Sequence, residues 1–195
     1  MASIVATAGS GKSVLMAELN TILLKQGTKT CWLSLESDDD SRAAVAAYLV
    51  SALHAVEPNW VSHELALIRG NPHGDITGVL DQLVATLSRI ATPLALFFDD
   101  FHHLRSPDLL AFFNKLASHL PTGVRMVIAS RNQLPLELGR LRVRGRLFEL
   151  GQQALGFDMA TTGQVLLQVH GLSLAPGDLH ALQLTTEGWA SGVQL

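Results

Sequence analysis

Lys12 and Ser13 close a run of small residues, Ala6-Thr7-Ala8-Gly9-Ser10-Gly11-Lys12-Ser13. Its spacing follows Gly-x-x-x-x-Gly-Lys-[Ser/Thr], with alanine in place of the first glycine. Small residues at Ala8, Gly9, Ser10 and Gly11 let successive backbone N–H groups curl around an anion. A helix that starts here and runs on through Val14 adds the positive end of its dipole. In such a loop the Lys12 ammonium reaches the β- and γ-phosphates of a nucleotide, and the Ser13 hydroxyl is a ligand for Mg²⁺. Alanine at position 6 fits if it keeps an ordinary φ, because the close approach to phosphate falls on Gly9 and Gly11. The competing reading is a glycine-rich turn before an ordinary helix. It leaves the coincidence of Gly-Lys-Ser, an upstream strand and a downstream helix unexplained.

A second set of charged residues points the same way. Leu94-Ala95-Leu96-Phe97-Phe98 is a continuous apolar run, as a parallel strand covered on both faces requires, and it ends in Asp99-Asp100. A carboxylate at the end of a central strand can hold Mg²⁺ beside a phosphate loop. Asp99 is assigned to the metal and Asp100 to orienting or deprotonating the attacking water. The alternative is two acids opening a surface loop. Arg131 follows another apolar run, 124–129, and ligands bind outside the carboxyl ends of such strands. An arginine there can contact a γ-phosphate through charge-assisted hydrogen bonds, or it can simply be solvated. Weaker features are Arg140, Arg142, Arg144 and Arg146, read as a solvated strand or loop face rather than a lid. His102 and His103 read as structural. Glu36 and Asp38 to Asp40 read as helix caps rather than metal ligands.

Strands and helices alternate to carry these residues. The pattern predicts strands at 4–7, 29–35, 94–98, 124–129 and 147–150. It predicts helices at 11–25, 40–56, 60–69, 76–90, 107–119, 158–170 and 176–187, with a break at Asn71-Pro72-His73-Gly74. This alternation implies an α/β fold of three layers, a parallel sheet with helices on both faces. Residues 1–150 are expected to form the nucleotide-binding core, and 151–195 to begin a helical segment. Both ends look cut close to that core, as in a fragment of a longer chain.

Composition agrees. The chain has 195 residues, 48% of them hydrophobic, enough for one α/β core. A net charge of −3 argues against a nucleic-acid footprint on this segment. Cys31, the one cysteine, has no internal disulfide partner, which fits a reducing cytoplasm. No uninterrupted apolar run is long enough to span a membrane.

At this point the residues resemble the phosphate-loop ATPase domain of MalT-type regulators, large ATP-binding LuxR-family transcription factors of the STAND class. The loop at residues 6–13 is similar, as are Cys31-Trp32-Leu33-Ser34-Leu35 and Phe98-Asp99-Asp100-Phe101-His102. So are Ala129-Ser130-Arg131, Leu134-Pro135-Leu136, Arg140-Leu141-Arg142 and Gly171-Leu172-Ser173-Leu174. The most specific match is Thr186-Glu187-Gly188-Trp189-Ala190. That family usually has an aromatic where Ser10 stands and a threonine where Ser13 stands; Ser13 keeps the hydroxyl. The resemblance implies a switch that binds ATP or ADP with Mg²⁺, hydrolyses slowly, and self-associates in a full-length protein. DNA binding would lie in a domain absent from this chain. Two other readings stay open: a P-loop kinase for a small molecule, with the arginine run as lid, and a nucleotide-binding interaction module without hydrolysis.

Overall fold

Five short apolar runs pair in parallel into one sheet in the order β2-β3-β4-β1-β5. In the computed structural model, which describes residues 1–70 and 77–194, these are β1 (Ala2–Val5), β2 (Lys29–Ser34), β3 (Leu94–Asp99), β4 (Val124–Ser130) and β5 (Phe148–Leu150). The helices are α1 (Lys12–Lys25), α2 (Arg42–Val56), α3 (Ser62–Gly70), α4 (Thr77–Arg89) and α5 (Pro107–His119). Then come α6 (Gly139–Val143), α7 (Gln152–Leu155), α8 (Met159–His170), α9 (Pro176–Thr186) and α10 (Ala190–Gln194). The fold is the three-layer parallel sheet of P-loop proteins, followed by helices.

Side chains alternate across the sheet with period two. On β3, Leu94, Leu96 and Phe98 join the larger core under α2, α4 and α5, whereas Ala95 and Phe97 pack with Met16 and Leu23 of α1. Every residue of β3 is buried. That is why the strand reads as an unbroken apolar run rather than an alternating one. Phe98 and Phe101 each meet Phe113 of α5 edge-on, at centroid distances of 5.0 and 4.8 Å.

Several boundaries differ from the sequence expectation for local reasons. β1 ends at Val5 rather than residue 7, because the chain then turns into the loop. α2 begins at Arg42, because the Ser41 hydroxyl accepts the Ala44 N–H at 3.1 Å. Asp39 instead closes a one-turn 3₁₀ helix by accepting the Glu36 N–H at 2.8 Å. Asp40 caps no helix of its own: its Oδ1 accepts the N–H groups of Arg105 and Ser106, at 2.9 and 2.8 Å, and so ties down the segment after β3. The arginine run is not a strand: Arg140 and Arg142 lie on the short helix α6, Arg144 and Arg146 on the turn and link that follow, and all four are exposed, as a solvated face requires. The break expected at Asn71-Pro72-His73-Gly74 lies outside the described residues. Among the described residues, no helix is long and apolar enough to cross a membrane.

Candidate phosphate-binding site

The loop between β1 and α1 takes its shape from two glycines in the left-handed region, Gly9 at φ 71° and Gly11 at φ 81°. Ala6 is not among the residues with positive φ; it is buried, and its N–H donates to Ser130 O of β4 at 3.2 Å. Gly11 caps α1, whose first hydrogen bond runs from Leu15 N–H to Gly11 O at 2.9 Å. Lys12 is almost covered and folds back on the loop, its Nζ donating to Thr7 O at 2.8 Å. Burial lowers the Lys12 pKa from the ordinary lysine value; Asp100 and Asp99 oppose this, and Arg131 adds to it.

The β3 parity continues through Asp99, which therefore lies on the α1 side of the sheet with Ala95 and Phe97. Asp99 is 5% exposed, and its Oδ1 accepts the Asp100 N–H at 2.9 Å. Asp100 itself is left-handed, with φ 53° and ψ 38°, a costly backbone for a non-glycine residue. Its Oδ1 lies 3.9 Å from Arg131 Nε and 3.7 Å from His102 Nδ1. His102 is mostly buried, and its Nδ1 has no hydrogen-bond partner. Burial, then the neighbouring His103 ring at 4.3 Å, holds its pKa below the usual histidine value.

Most of the sequence-predicted residues face one cleft of about 260 Å³. Ala8, Gly9 and Gly11 line it with Lys12, Ser13 and Val14; Asp100 and Arg131 face them. Ser10 and Asp99 do not line it. Ser10 is buried, its hydroxyl donating to Gln152 Oε1 at 3.1 Å, and Asp99 is buried at the strand end. Among the described residues no group of three or more His, Cys, Asp or Glu could hold a metal ion. A Mg²⁺ here would draw on the Ser13 hydroxyl and the Asp99 carboxylate and take its remaining ligands from phosphate and water, as that ion commonly does.

On the other side of the loop lies a second cavity of about 500 Å³ with a mainly apolar wall. Val14 and Leu15 of α1 form one side, Leu155 and Phe157 the other, with Glu18 and Ser191 at the edge. A groove of equal volume beside Trp60, Glu64 and Arg89 touches no residue of the loop. Two arginines of the run are engaged elsewhere: Arg142 pairs with Glu149 at 2.8 Å, and Arg146 donates to Leu120 O.

Three residues that touch the loop carried no signal of that contact in the sequence. Gln152 Oε1 accepts from Thr7 N–H at 2.9 Å and from the Thr7 and Ser10 hydroxyls at 3.1 Å. Trp189 and Ser191 donate to the carbonyls of Ala8 and Gly9. The glycines flanking Trp189, at positions 188 and 192, are the one local sign that the indole is seated in a special place.

Known proteins resemble the chain over most of its length. A family model described as an AAA domain matches residues 1–135. The chain is 28% identical over 192 residues to the serine/threonine-protein kinase PknK of Mycobacterium tuberculosis, covering 97% of this chain and 17% of that protein. It is 30% identical over 188 residues to the HTH-type transcriptional regulator MalT of Yersinia enterocolitica, covering 96% of this chain and 20% of that protein. It thus spans about a fifth of the length of these relatives. Among solved structures, Cdc6p from Pyrobaculum aerophilum superposes with a TM-score of 0.54 at 17% identity, over 90% of this chain and 44% of that one. That likeness concerns the fold alone.

Proposed function

Because the chain belongs to the AAA domain family, we propose that it binds ATP and ADP and acts as a slowly hydrolysing switch module of the STAND type within a signal-dependent, LuxR-family transcriptional regulator. One observation carries this reading. The phosphate loop, the carboxylate of Asp100 and the guanidinium of Arg131 face a single cleft, with the buried carboxylate of Asp99 next in line at the β3 end.

In this reading Lys12 leaves Thr7 O and turns to the β- and γ-phosphates. The N–H groups of residues 9–14 supply the rest of the anion cradle. Ser13 and Asp99 would hold Mg²⁺, which would neutralise phosphate charge. Asp100 orients the water that attacks the γ-phosphorus and takes its proton, while the bond from that phosphorus to the β,γ-bridging oxygen breaks and ADP leaves with the electron pair. Arg131 reports whether a γ-phosphate is present. The apolar cavity beside Val14, Leu155 and Phe157 suits the base, so residues after β5 complete the site. Residues 1–150 act as the nucleotide-binding core and 151–195 as the start of a helical segment. Self-association and DNA binding belong to a longer protein of this kind, working in the cytoplasm. The kinase reading gains no support from the arginine run, of which Arg142 pairs with Glu149 and Arg146 donates to Leu120 O.

Calorimetry with Mg–ATP tests the reading. The parent should bind, and Lys12→Ala should lose ~2 kcal/mol or more, the scale of a charge-assisted contact. Phosphate favours the charged lysine, so affinity is full below the Lys12 pKa and is lost as pH rises through it. Because burial lowers that pKa, the decline should begin below the ordinary value of 10.5. Equal binding by parent and Lys12→Ala would contradict the assignment.

A further inference from the structure

Trp189 and Ser191 reach the phosphate loop from the far end of the chain. The Trp189 indole N–H donates to Ala8 O at 2.8 Å. The Ser191 N–H and hydroxyl both donate to Gly9 O, at 3.1 and 3.0 Å. Three glycines make this seat. Gly9 has no Cβ where one would meet Ser191 Oγ at 2.1 Å and Trp189 Cζ2 at 3.3 Å. Gly188, at φ 72°, has none where one would meet Phe157 O at 2.1 Å; its own carbonyl accepts the Phe157 N–H at 2.8 Å. A Cβ on Gly192 would meet the Trp189 ring at 2.6 Å. The turn is thereby anchored to Phe157, two residues before α8, and pressed on the loop.

The peptide unit turns these contacts into a statement about phosphate. A trans peptide is planar, and its C=O and N–H point in opposite directions. Ala8 C=O shares a peptide with Gly9 N–H, and Gly9 C=O with Ser10 N–H. Holding both carbonyls on the Trp189 side therefore aims the two N–H groups away from it. We infer that Trp189 and Ser191 are positioning residues for the phosphate loop: they fix the direction of the Gly9 and Ser10 N–H groups and so set the affinity for a phosphate chain. This rests on the nucleotide-binding reading above. Coupling of this kind is reciprocal. A partner or segment that lifts α10 off the loop weakens phosphate binding by the same factor by which bound phosphate strengthens the docking of α10.

Trp189→Phe keeps an aromatic six-membered ring and removes the N–H with the smaller ring of the indole, so the comparison among nucleotides below, rather than the variant alone, separates the hydrogen bond from packing. Without ligand, amide hydrogen exchange over residues 6–14 should be ~10-fold faster in Trp189→Phe than in the parent, the upper range for one net hydrogen bond. An unchanged rate overturns the inference. With ligand, ADP and ATP should each bind ~10-fold more weakly to Trp189→Phe, whereas AMP, which lacks the phosphates the loop embraces, should bind as before. Equal losses for all three, or none, make Trp189 merely structural and overturn it. Ser191→Ala should show the same split on a smaller scale, and Ser191→Thr, which keeps the hydroxyl, should restore it. If the parent binds none of the three nucleotides, the proposed function fails, and the exchange comparison still decides whether the clasp orders the loop.

Discussion

Asp100 shows how much of the site rests on a single residue's conformation. Its left-handed backbone costs of order 1–3 kcal/mol and brings its carboxylate within 4 Å of both Arg131 and His102. The preceding residue, Asp99, keeps strand geometry and stays buried. Two neighbouring acids thus receive different surroundings, and the proposed division of labour between metal and water rests on that difference. Asp100→Asn should leave Mg–ATP binding intact and slow hydrolysis by ~100-fold, the usual scale for losing a general base. Single-turnover hydrolysis checks this; an unchanged rate would move the water-orienting role to another group, with His102 the nearest. Both acids, Lys12 and Ser13 were legible in the sequence because each sits inside a short motif at a strand end. The contact between Asp100 and Arg131 was not, since 31 positions separate them and no local pattern records which strand ends become neighbours.

The elements hold these residues by their packing. β3 is the central case: its even positions feed the large core, its odd positions the α1 layer, and its last residue is the buried acid. Phe98 is fully buried against Phe113. Phe98→Ala should cost ~3–5 kcal/mol in urea unfolding, the range for deleting a large core aromatic. A loss below ~1 kcal/mol would mean that the site's strand is not anchored as described. The five strands and the long helices were legible because continuous apolar runs and helical periodicity extend over enough residues to be distinctive. α6 and α7, of five and four residues, were not. At little more than one turn they show no periodicity, and tertiary contacts decide them. The alternating arginines 140 to 146 read as a strand or loop face for that reason, and only the first two belong to α6.

Over the whole molecule, the parallel sheet brings residues from its first 13 positions, from 99 and 100, and from 131 to one edge. The contacts that close the loop come from Gln152, Trp189 and Ser191, at sequence separations of 142 to 182. The sequence showed that the Thr-Glu-Gly-Trp stretch was distinctive, yet gave no sign of what it touches, because such a contact is created by the fold and written in no local spacing. A switch also needs a group that feels only the phosphate by which ATP and ADP differ, since a ligand shifts an equilibrium solely through its differential affinity for two states. Arg131 is half exposed, faces the cleft, and among the described residues pairs with the carboxylate of Asp100 at a loose 3.9 Å, a contact it can exchange for a third phosphate. The decisive measurement is a paired titration of the parent and Arg131→Ala with ADP and with a non-hydrolysable ATP analogue. The account predicts a loss of ~1–3 kcal/mol for the analogue and almost none for ADP, the range for a hydrogen bond to a charged group. Equal losses for the two nucleotides, or no loss for either, would contradict it.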